Sequence, residues 1–326
     1  MSSSDEVREL VRDILSDDPA GGWRPAWDRL SEAGLTLVGL REEQGGSGGT
    51  LHDLVAVVEE VAAAGVPTPL IENHTARWLL GPDAPDEGQI LSAAHSNDLH
   101  VADGRLSGVV PQVRWVDSST ELVLTGPALP SAVRVRPADV SVQALPGRIS
   151  ATEQPAVVTL ADLPLGDRRP ATEAEDVVAR LALLRAAALT GAARATYSLT
   201  KNYVTTREQF GAPLIRLQPV AAGIAAMSVA VLQARTALDL ALERPDDVPT
   251  ATVARVTAGR SASAVATIGH QLHGAMGVTQ EYPLHRLTSL IWSWRDADLP
   301  EREWLGRTGE LVLMGGEAAL WGIGRG

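Results

Sequence analysis

The sequence predicts an α+β, mainly α fold, with an N-terminal helical domain, a small middle β domain and a C-terminal four-helix bundle. Three observations carry this expectation. Apolar residues recur at helical spacing over residues 1–80 and again over the C-terminal half. Between Gln89 and Pro164 the pattern changes to short β-prone runs separated by Gly, Pro, Asp and Ser. Alanine is abundant and phenylalanine occurs once, which suits helices packed closely on small side chains. The boundaries expected from these shifts are residues 1–88, 89–168 and 169–326.

Composition narrows the function. A chain of 326 residues can hold two or three packed units. A net charge of −12 argues against a nucleic-acid surface and against a polybasic membrane anchor. Without cysteine, disulfides, thiolate catalysis and Cys-ligated zinc are excluded. The N-terminus, MSSSDEVREL, lacks the apolar core of a signal peptide, so a cytoplasmic location is expected. The run LALLRAAALTGAARA, read as the most apolar, is broken by Arg185 and Arg194, which argues against a membrane span.

The elements follow in order. Asp5 is positioned to cap the helix EVRELVRDIL, and WRPAWDRLSEAG forms a second helix closed by Gly34. LTLVGL leads into the glycine-rich loop REEQGGSGGT. LHDLVAVVEEVAAAG reads as an amphipathic helix closed by Gly65. VPTPL breaks it, IENHTARWLL is helical, and GPDAPDEG is a linker. LHVAD, GRLSGVV, TELVLTG, AVRVRP, VSVQAL and AVVTLA are the runs of a small antiparallel sandwich or barrel. Four long helices then start near Glu175, Leu217, Thr250 and Pro300 and make an antiparallel bundle.

Two motifs sit at the bundle's turns. REQFGAPLIRLQ, residues 207–218, joins two long helices through a Phe-Gly-x-Pro turn. Alone, Arg207 could do no more than meet the C-terminal carbonyls of its own helix. QLHGAMG, residues 271–277, precedes VTQEYPLHR. Together, R-x-Q-F-G-x-P-x-x-x-x-Q and Q-x-x-G-x-x-G-x-x-x-E-Y-P resemble the two C-terminal signatures of acyl-CoA dehydrogenases, and LREEQGGSGGTLHDLVAVVEEVAAAG is similar to a stretch between that family's early helices. The resemblance implies FAD as cofactor and an acyl-CoA thioester as substrate. In the family these motifs reach the flavin of a neighbouring subunit.

The chemistry agrees. A forked cation such as Arg207 suits a pyrophosphate. Phe210 and Leu214 offer apolar surface to an adenine, and Gln209, Gln218 and Gln271 offer amides. Gly274, Ala275 and Gly277 are small, and the two glycines allow close backbone approach. GGSGG at residues 45–49 lacks the strand context of a dinucleotide loop and reads as a plain loop. His270 and His273 have metal-compatible spacing but no third ligand, so no metal is expected. Trp292, Trp294, Trp304 and Trp321 read as core or interface anchors.

The family's catalytic carboxylate is missing from its usual contexts. Counting from Glu281-Tyr282-Pro283, its common position falls on Asp298, in ADLP, where the acid is one methylene short. Its alternative position falls on Leu181. Glu173, Glu175 and Asp176 read as partners of a helix N-terminus. The family's flavin-ring segments are absent from the β region, although Asp103 to Gly108 matches the hairpin expected there.

No catalytic residue is therefore expected, with Asp298 the one candidate. Asp298 and Pro300 are expected to open the last helix, Asp296, Glu301 and Glu303 to be solvated or at an interface, and Trp292, Trp294 and Trp304 to anchor the segment. The resemblance implies a shortened, non-catalytic subunit like those of actinobacterial steroid side-chain dehydrogenases. Its partner would be a longer catalytic subunit in an α2β2 complex, with electron-transfer flavoprotein as acceptor. The alternatives are a self-sufficient homo-oligomer using Asp298 as base, and a flavin-free scaffold.

Overall fold

The computed structural model of the protein describes residues 3–16, 22–129, 131–145, 155–165 and 174–322. In chain order the helices are α1 (Ser3–Ser16), α2 (Trp23–Glu32), α3 (Leu51–Ala63), α4 (Leu70–Leu80), α5 (Ala174–Thr206), α6 (Gln218–Glu243), α7 (Val248–His273), α8 (Leu284–Arg295) and α9 (Glu301–Gly322). The strands are β1 (Leu91–His95), β2 (Leu99–Ala102), β3 (Arg105–Val113), β4 (Glu121–Thr125), β5 (Val133–Val135), β6 (Ser141–Ala144), β7 (Ala156–Pro164), β8 (Glu208–Gln209) and β9 (Ala212–Pro213). Two compact units result, one of Gly21–Leu54 with Pro67–Leu181, the other of Met1–Ala20, Val55–Val66 and Ala182–Gly326. The expected boundary at residue 168 lies outside the described residues.

In the first of these units, local chemistry sets the helix start. Thr50 and Asp53 form a reciprocal capping box at the head of α3. The Thr50 N–H donates to Asp53 Oδ2 at 2.9 Å, and the Asp53 N–H donates to Thr50 Oγ1 at 3.2 Å. The strands form two sheets, β1-β4-β5 and β2-β3-β7-β6. Asp103 and Gly104 make the two-residue turn between β2 and β3, both at positive φ, as twist-matched hairpins require. Leu99, Leu106, Val110, Leu122, Leu124, Val158 and Leu160 fill the space between the sheets. Ala76 and Leu80 of α4 pack on Leu91, Ala93 and Val123 on the outer face of the three-stranded sheet.

The β unit is not purely antiparallel as expected. β1, which the sequence reading passed over, pairs with β4 in parallel. LSAAH is nearly all buried, as a strand covered on both faces should be, so it shows no alternation to read. The linker after α4 is fixed by Arg77, whose guanidinium donates to the carbonyls of Pro85, Asp86 and Gln89.

In the other unit, α3 is buried all round rather than amphipathic. Glu59 and Glu60 are 1% and 4% exposed and are held by arginines from three other helices. Arg8 of α1 and Arg235 of α6 bind Glu59. Arg8 and Arg12 of α1 and Arg194 of α5 bind Glu60. Desolvation alone would raise the Glu60 carboxyl, but hydrogen bonds from Arg12 and Arg194 and their charges outweigh it and lower its pKa to about 2. Where α5 crosses α3, Gly191 is required, because a Cβ there would overlap the Glu59 carbonyl oxygen.

The four expected bundle helices are α5, α6, α7 and α9, and α8 is an additional one. Asp247 caps α7, accepting from the Thr250 N–H at 2.9 Å, with a proline in the first turn. Arg255 of α7 closes the C-terminal end of α8, donating to the carbonyls of Trp294 and Arg295 at 2.7 and 2.9 Å. The same guanidinium lies over the buried Trp304 ring at 5.5 Å, and Arg295 lies over Trp292 at 5.0 Å. Trp294 and Trp304 are core anchors, while Trp321 lies outside the described side chains.

Three local expectations are corrected. Asp5 lies inside the first turn of α1, which starts at Ser3. Asp298 does not open α9; it sits in a tight turn at φ 67° with its side chain directed to Arg185, and Pro300 immediately precedes the helix. IWSWR is the end of α8, with Trp294, Ala297 and Leu299 buried, so the segment is folded into the unit rather than solvated throughout. Glu173 lies outside the described residues.

The Glu60 site has a pH signature. Its carboxyl is depressed from the ordinary 4.5 to about 2, so its contribution to stability is full above pH 4.5 and is lost as pH falls through about 2. Thermal melts of the full chain between pH 6 and pH 2 are expected to show Tm falling with acid. Glu60→Gln should start lower at pH 6 and lose much of that dependence; an unchanged pH slope would contradict the assignment.

Candidate functional site

The two bundle-turn motifs lie in the same compact unit. α5 ends at Thr206, and the Arg207 N–H still donates to Tyr203 O at 2.8 Å, continuing the helical pattern. The Leu214 N–H donates back to Arg207 O at 2.9 Å. Between them β8 and β9 pair through Glu208–Pro213 and Gln209–Ala212, leaving Phe210 and Gly211 as a two-residue turn. Both turn residues are at positive φ, 54° and 80°. Glycine adopts that conformation freely; for a bulky aromatic it is strained. Phe210 is also 89% exposed. Phenylalanine at this turn is therefore neither relaxed nor buried. Arg207, Gln209 and Gln218 are exposed beside it, and Leu214 is half-buried.

The second motif closes α7. Gly274 ends the helix at φ 58° and has open space where a Cβ would stand, so its backbone is free to be approached. Gln271 and Ala275 are exposed with it. Gly277 differs, because a Cβ there would meet Leu284 at 2.9 Å and His273 at 3.1 Å. It is buried, and its smallness serves packing inside the chain.

Three rings join the motifs. Tyr203, one turn before Arg207, stacks on His273, the residue before Gly274, with centroids 4.3 Å apart and planes at 23°. Tyr282, in the Glu-Tyr-Pro segment, meets Tyr203 edge-on at 5.9 Å, and its hydroxyl lies 3.0 Å from His273 Nε2. His273 Nδ1 lies 2.8 Å from Gly269 O, which can only accept. The proton therefore sits on Nδ1, and Nε2 accepts from Tyr282. Burial lowers the His273 pKa and raises that of Tyr282, so both stay neutral and the contact persists. A Cβ at Gly223 of α6 would lie only 3.3–3.4 Å from Leu272 and Ile268 of α7, so the glycine lets the start of α6 pack closely on the end of α7. The sequence reading did not find this clamp. Its signals were Tyr203 lying four residues before Arg207, on the same helix face, and His273 abutting Gly274.

The histidines are thus structural. His270 Nε2 pairs with Thr288 at 2.8 Å, and among the described residues no group of three potential ligands is placed to hold a metal. The loop at residues 45–49 bridges Leu40 to Gly48 and stays a loop.

Asp298 is occupied. Its two carboxylate oxygens accept from Arg185 Nε and Nη2 at 3.1 and 3.0 Å, and the Arg185 side chain is 1% exposed. Leu181 is buried.

Sequence profiles of the acyl-CoA dehydrogenase N-terminal and C-terminal domains match residues 3–80 and 175–293, together more than half of the chain. The chain belongs to the acyl-CoA dehydrogenase family, oxidoreductases acting on acyl-CoA thioesters with FAD as cofactor. A relative, acyl-CoA dehydrogenase IpdE2 of Mycobacterium tuberculosis, is 29% identical over 272 residues, 81% of this chain and 77% of the relative. A variant of the Tcur3481–Tcur3483 steroid ACAD has the same fold, with a TM-score of 0.84 at 23% identity over 96% of this chain and 98% of that one. The ChsE4–ChsE5 complex of Mycobacterium tuberculosis also shares the fold, with a TM-score of 0.85 at 21% identity over 96% and 98%.

The residues present fit a dinucleotide: an exposed guanidinium, an exposed ring, amides and an open glycine backbone lie at two turns that one clamp joins. The strain at Phe210 can be tested on this chain alone. Phe210→Asn, which tolerates a positive φ, is expected to stabilise the free chain by roughly 0.5–1 kcal/mol in denaturant unfolding. A loss of stability would mean that the ring is anchored within the chain.

Proposed function

We propose that this chain is the non-catalytic subunit of a heteromeric, FAD-dependent acyl-CoA dehydrogenase and completes the flavin site of a longer catalytic partner. The observation that carries the reading is Phe210, at positive φ and exposed between Arg207 and Gln218. Arg207 would hold the pyrophosphate, Phe210 and Leu214 would cover the adenine, and Gln209, Gln218, Gln271 and the Gly274–Ala275 backbone would supply polar contacts. Bound FAD would accept hydride from the acyl β-carbon.

The proton base would belong to the partner. Asp298 has both oxygens engaged by a buried arginine, and the other expected position is leucine. Two similar folds come from paired proteins, Tcur3481–Tcur3483, a steroid ACAD, and ChsE4–ChsE5, which favours a heteromer and an acyl-CoA with a steroid side chain as substrate class. An α2β2 assembly in the cytoplasm, passing electrons to an electron-transfer flavoprotein, is the expected form.

A surface for the partner is available. α6 exposes Ala222, Ala225, Ala226, Val229 and Leu232 along one face. By length and composition alone α6, rather than the α5 run, is apolar enough to cross a membrane, with 22% of that window buried. In this fold it packs along α7, and the exposed row is better matched to another subunit.

The test is purification of the chain alone and with a full-length dehydrogenase chain. Stoichiometric FAD and acyl-CoA oxidation are expected in the complex only. Arg207→Ala should weaken FAD retention there by roughly 10–100-fold, the loss of a charge-assisted contact. Asp298→Asn should leave turnover in place while costing about 3 kcal/mol of stability, because Arg185 is left buried without its counter-charge. A lone chain that holds FAD and turns over, with turnover abolished by Asp298→Asn, would overturn the reading.

A further inference from the structure

One cavity in the α1–α3–α5–α8 region takes no part in the flavin reading. It holds about 550 Å³ and is lined by the C-terminal ends of α1 and α3, the middle of α5 and the start of α8. Its charged lining is Arg12, Arg194 and Arg286 with one carboxylate, Glu60. Leu15, Ala63, Leu199 and Leu287 supply apolar wall.

We propose that this cavity binds a small anionic amphiphile, with an oxyanion head on the Arg12 and Arg194 guanidiniums and an apolar body against Leu15, Leu199 and Leu287. The volume lies within the roughly 300–1,000 Å³ of ligand cavities. The donors exceed the acceptors. The single Glu60 carboxylate is shared by Arg8, Arg12 and Arg194, and Arg12 alone takes both of its oxygens at 2.8 and 2.9 Å. Arg194 Nη2 lies 2.9 Å from Glu60 Oε2, an oxygen that Arg12 Nε also holds at 2.9 Å, so two guanidiniums crowd one acceptor. Three guanidiniums thus share the two oxygens of one carboxylate, and each carries further N–H donors that a second acceptor can take.

Arg12 and Arg194 are 56% and 39% exposed, so a head group can reach them. The chain as a whole carries a charge of −12, so three arginines around one acid are a local exception to its acidic surface. The leucines make a bare inorganic anion a poor fit. A carboxylate and a phosphate ester share the required head chemistry.

The cavity adjoins the clamp from behind. Leu199 lies one helical turn before Tyr203, and Pro283 follows Tyr282. The binding itself needs no flavin and is tested without it, so it stands apart from the proposed function.

The experiment is calorimetric titration of the full chain with octanoate, octyl phosphate, octan-1-ol and inorganic phosphate. Octanoate, octyl phosphate or both are expected to saturate and to bind about tenfold or more tightly than octan-1-ol. Their order tells a carboxylate ligand from a phosphate ester. Arg194→Gln should weaken the tighter of the two by about tenfold. Ala195→Leu, which keeps every charge but fills the cavity, should do the same while leaving helical content unchanged. Octan-1-ol binding as well as both anions, inorganic phosphate matching octyl phosphate, unaltered binding by the Ala195→Leu chain, or no saturation at millimolar ligand would each overturn the proposal.

Discussion

Two adjacent carboxylates in the middle of α3 govern how the helical unit is assembled. Glu59 and Glu60 point about 100° apart around the helix axis, and neither can be buried as an anion without partners. Four arginines answer them, two from α1 and one each from α5 and α6. Each pair fixes a helix by direction as well as by contact, because a guanidinium fork accepts only a few orientations of a carboxylate. Gly191 adds the distance constraint, letting the α5 backbone lie against the Glu59 carbonyl. A hydrophobic seam would allow sliding by small steps; this arrangement holds α5 to one register. Arg207 stands at the far end of that helix, so the register of α5 sets where the motif is presented.

The second level is the clamp of Tyr203, His273 and Tyr282. It stores little energy by itself, since a neutral hydrogen bond and ring contacts are each worth on the order of 1 kcal/mol. Its value is geometric. It joins the ends of two helices and a turn that are distant in sequence, and it does so with groups whose burial keeps them uncharged. Phe210 is then placed on an exposed hairpin tip at positive φ. The β2–β3 turn uses the same two-residue, positive-φ geometry with Asp103 and Gly104, residues that suit it. On the proposed reading, the first hairpin serves folding and the second presents a side chain.

Much of the architecture was legible in the sequence because periodicity and punctuation are local. The helices and their order, Gly34 and Gly65 as stops, the Asp103–Gly104 hairpin and both bundle-turn motifs follow from residues within a few positions of each other. The misreadings share a cause. β1 is buried on both faces and shows no alternation, while in α3 Asp53, Glu59 and Glu60 suggest a polar face although all three are buried. α8 was hidden by its charged end, where Arg295 and Asp296 pair with each other and Arg255 satisfies the helix carbonyls. The positive φ of Phe210 and the stacking of Tyr203 on His273 depend on tertiary placement, which no short window of sequence contains.

On the proposed reading, Asp298 is a position that keeps its residue class and changes its work. A catalytic base needs a carboxylate that can take a proton from substrate, so its charge must be only moderately stabilised and at least one oxygen must face the reacting atom. In this chain Arg185 engages both Asp298 oxygens from a fully buried position. The clamp in turn fixes the turn at positive φ that carries the chain from α8 into α9, and the buried Leu299 and Trp304 follow from it. On the proposed reading, a chain relieved of proton abstraction has turned its leftover acid into a structural ion pair, while the surface that serves another subunit's cofactor still bears the strain of that service at Phe210.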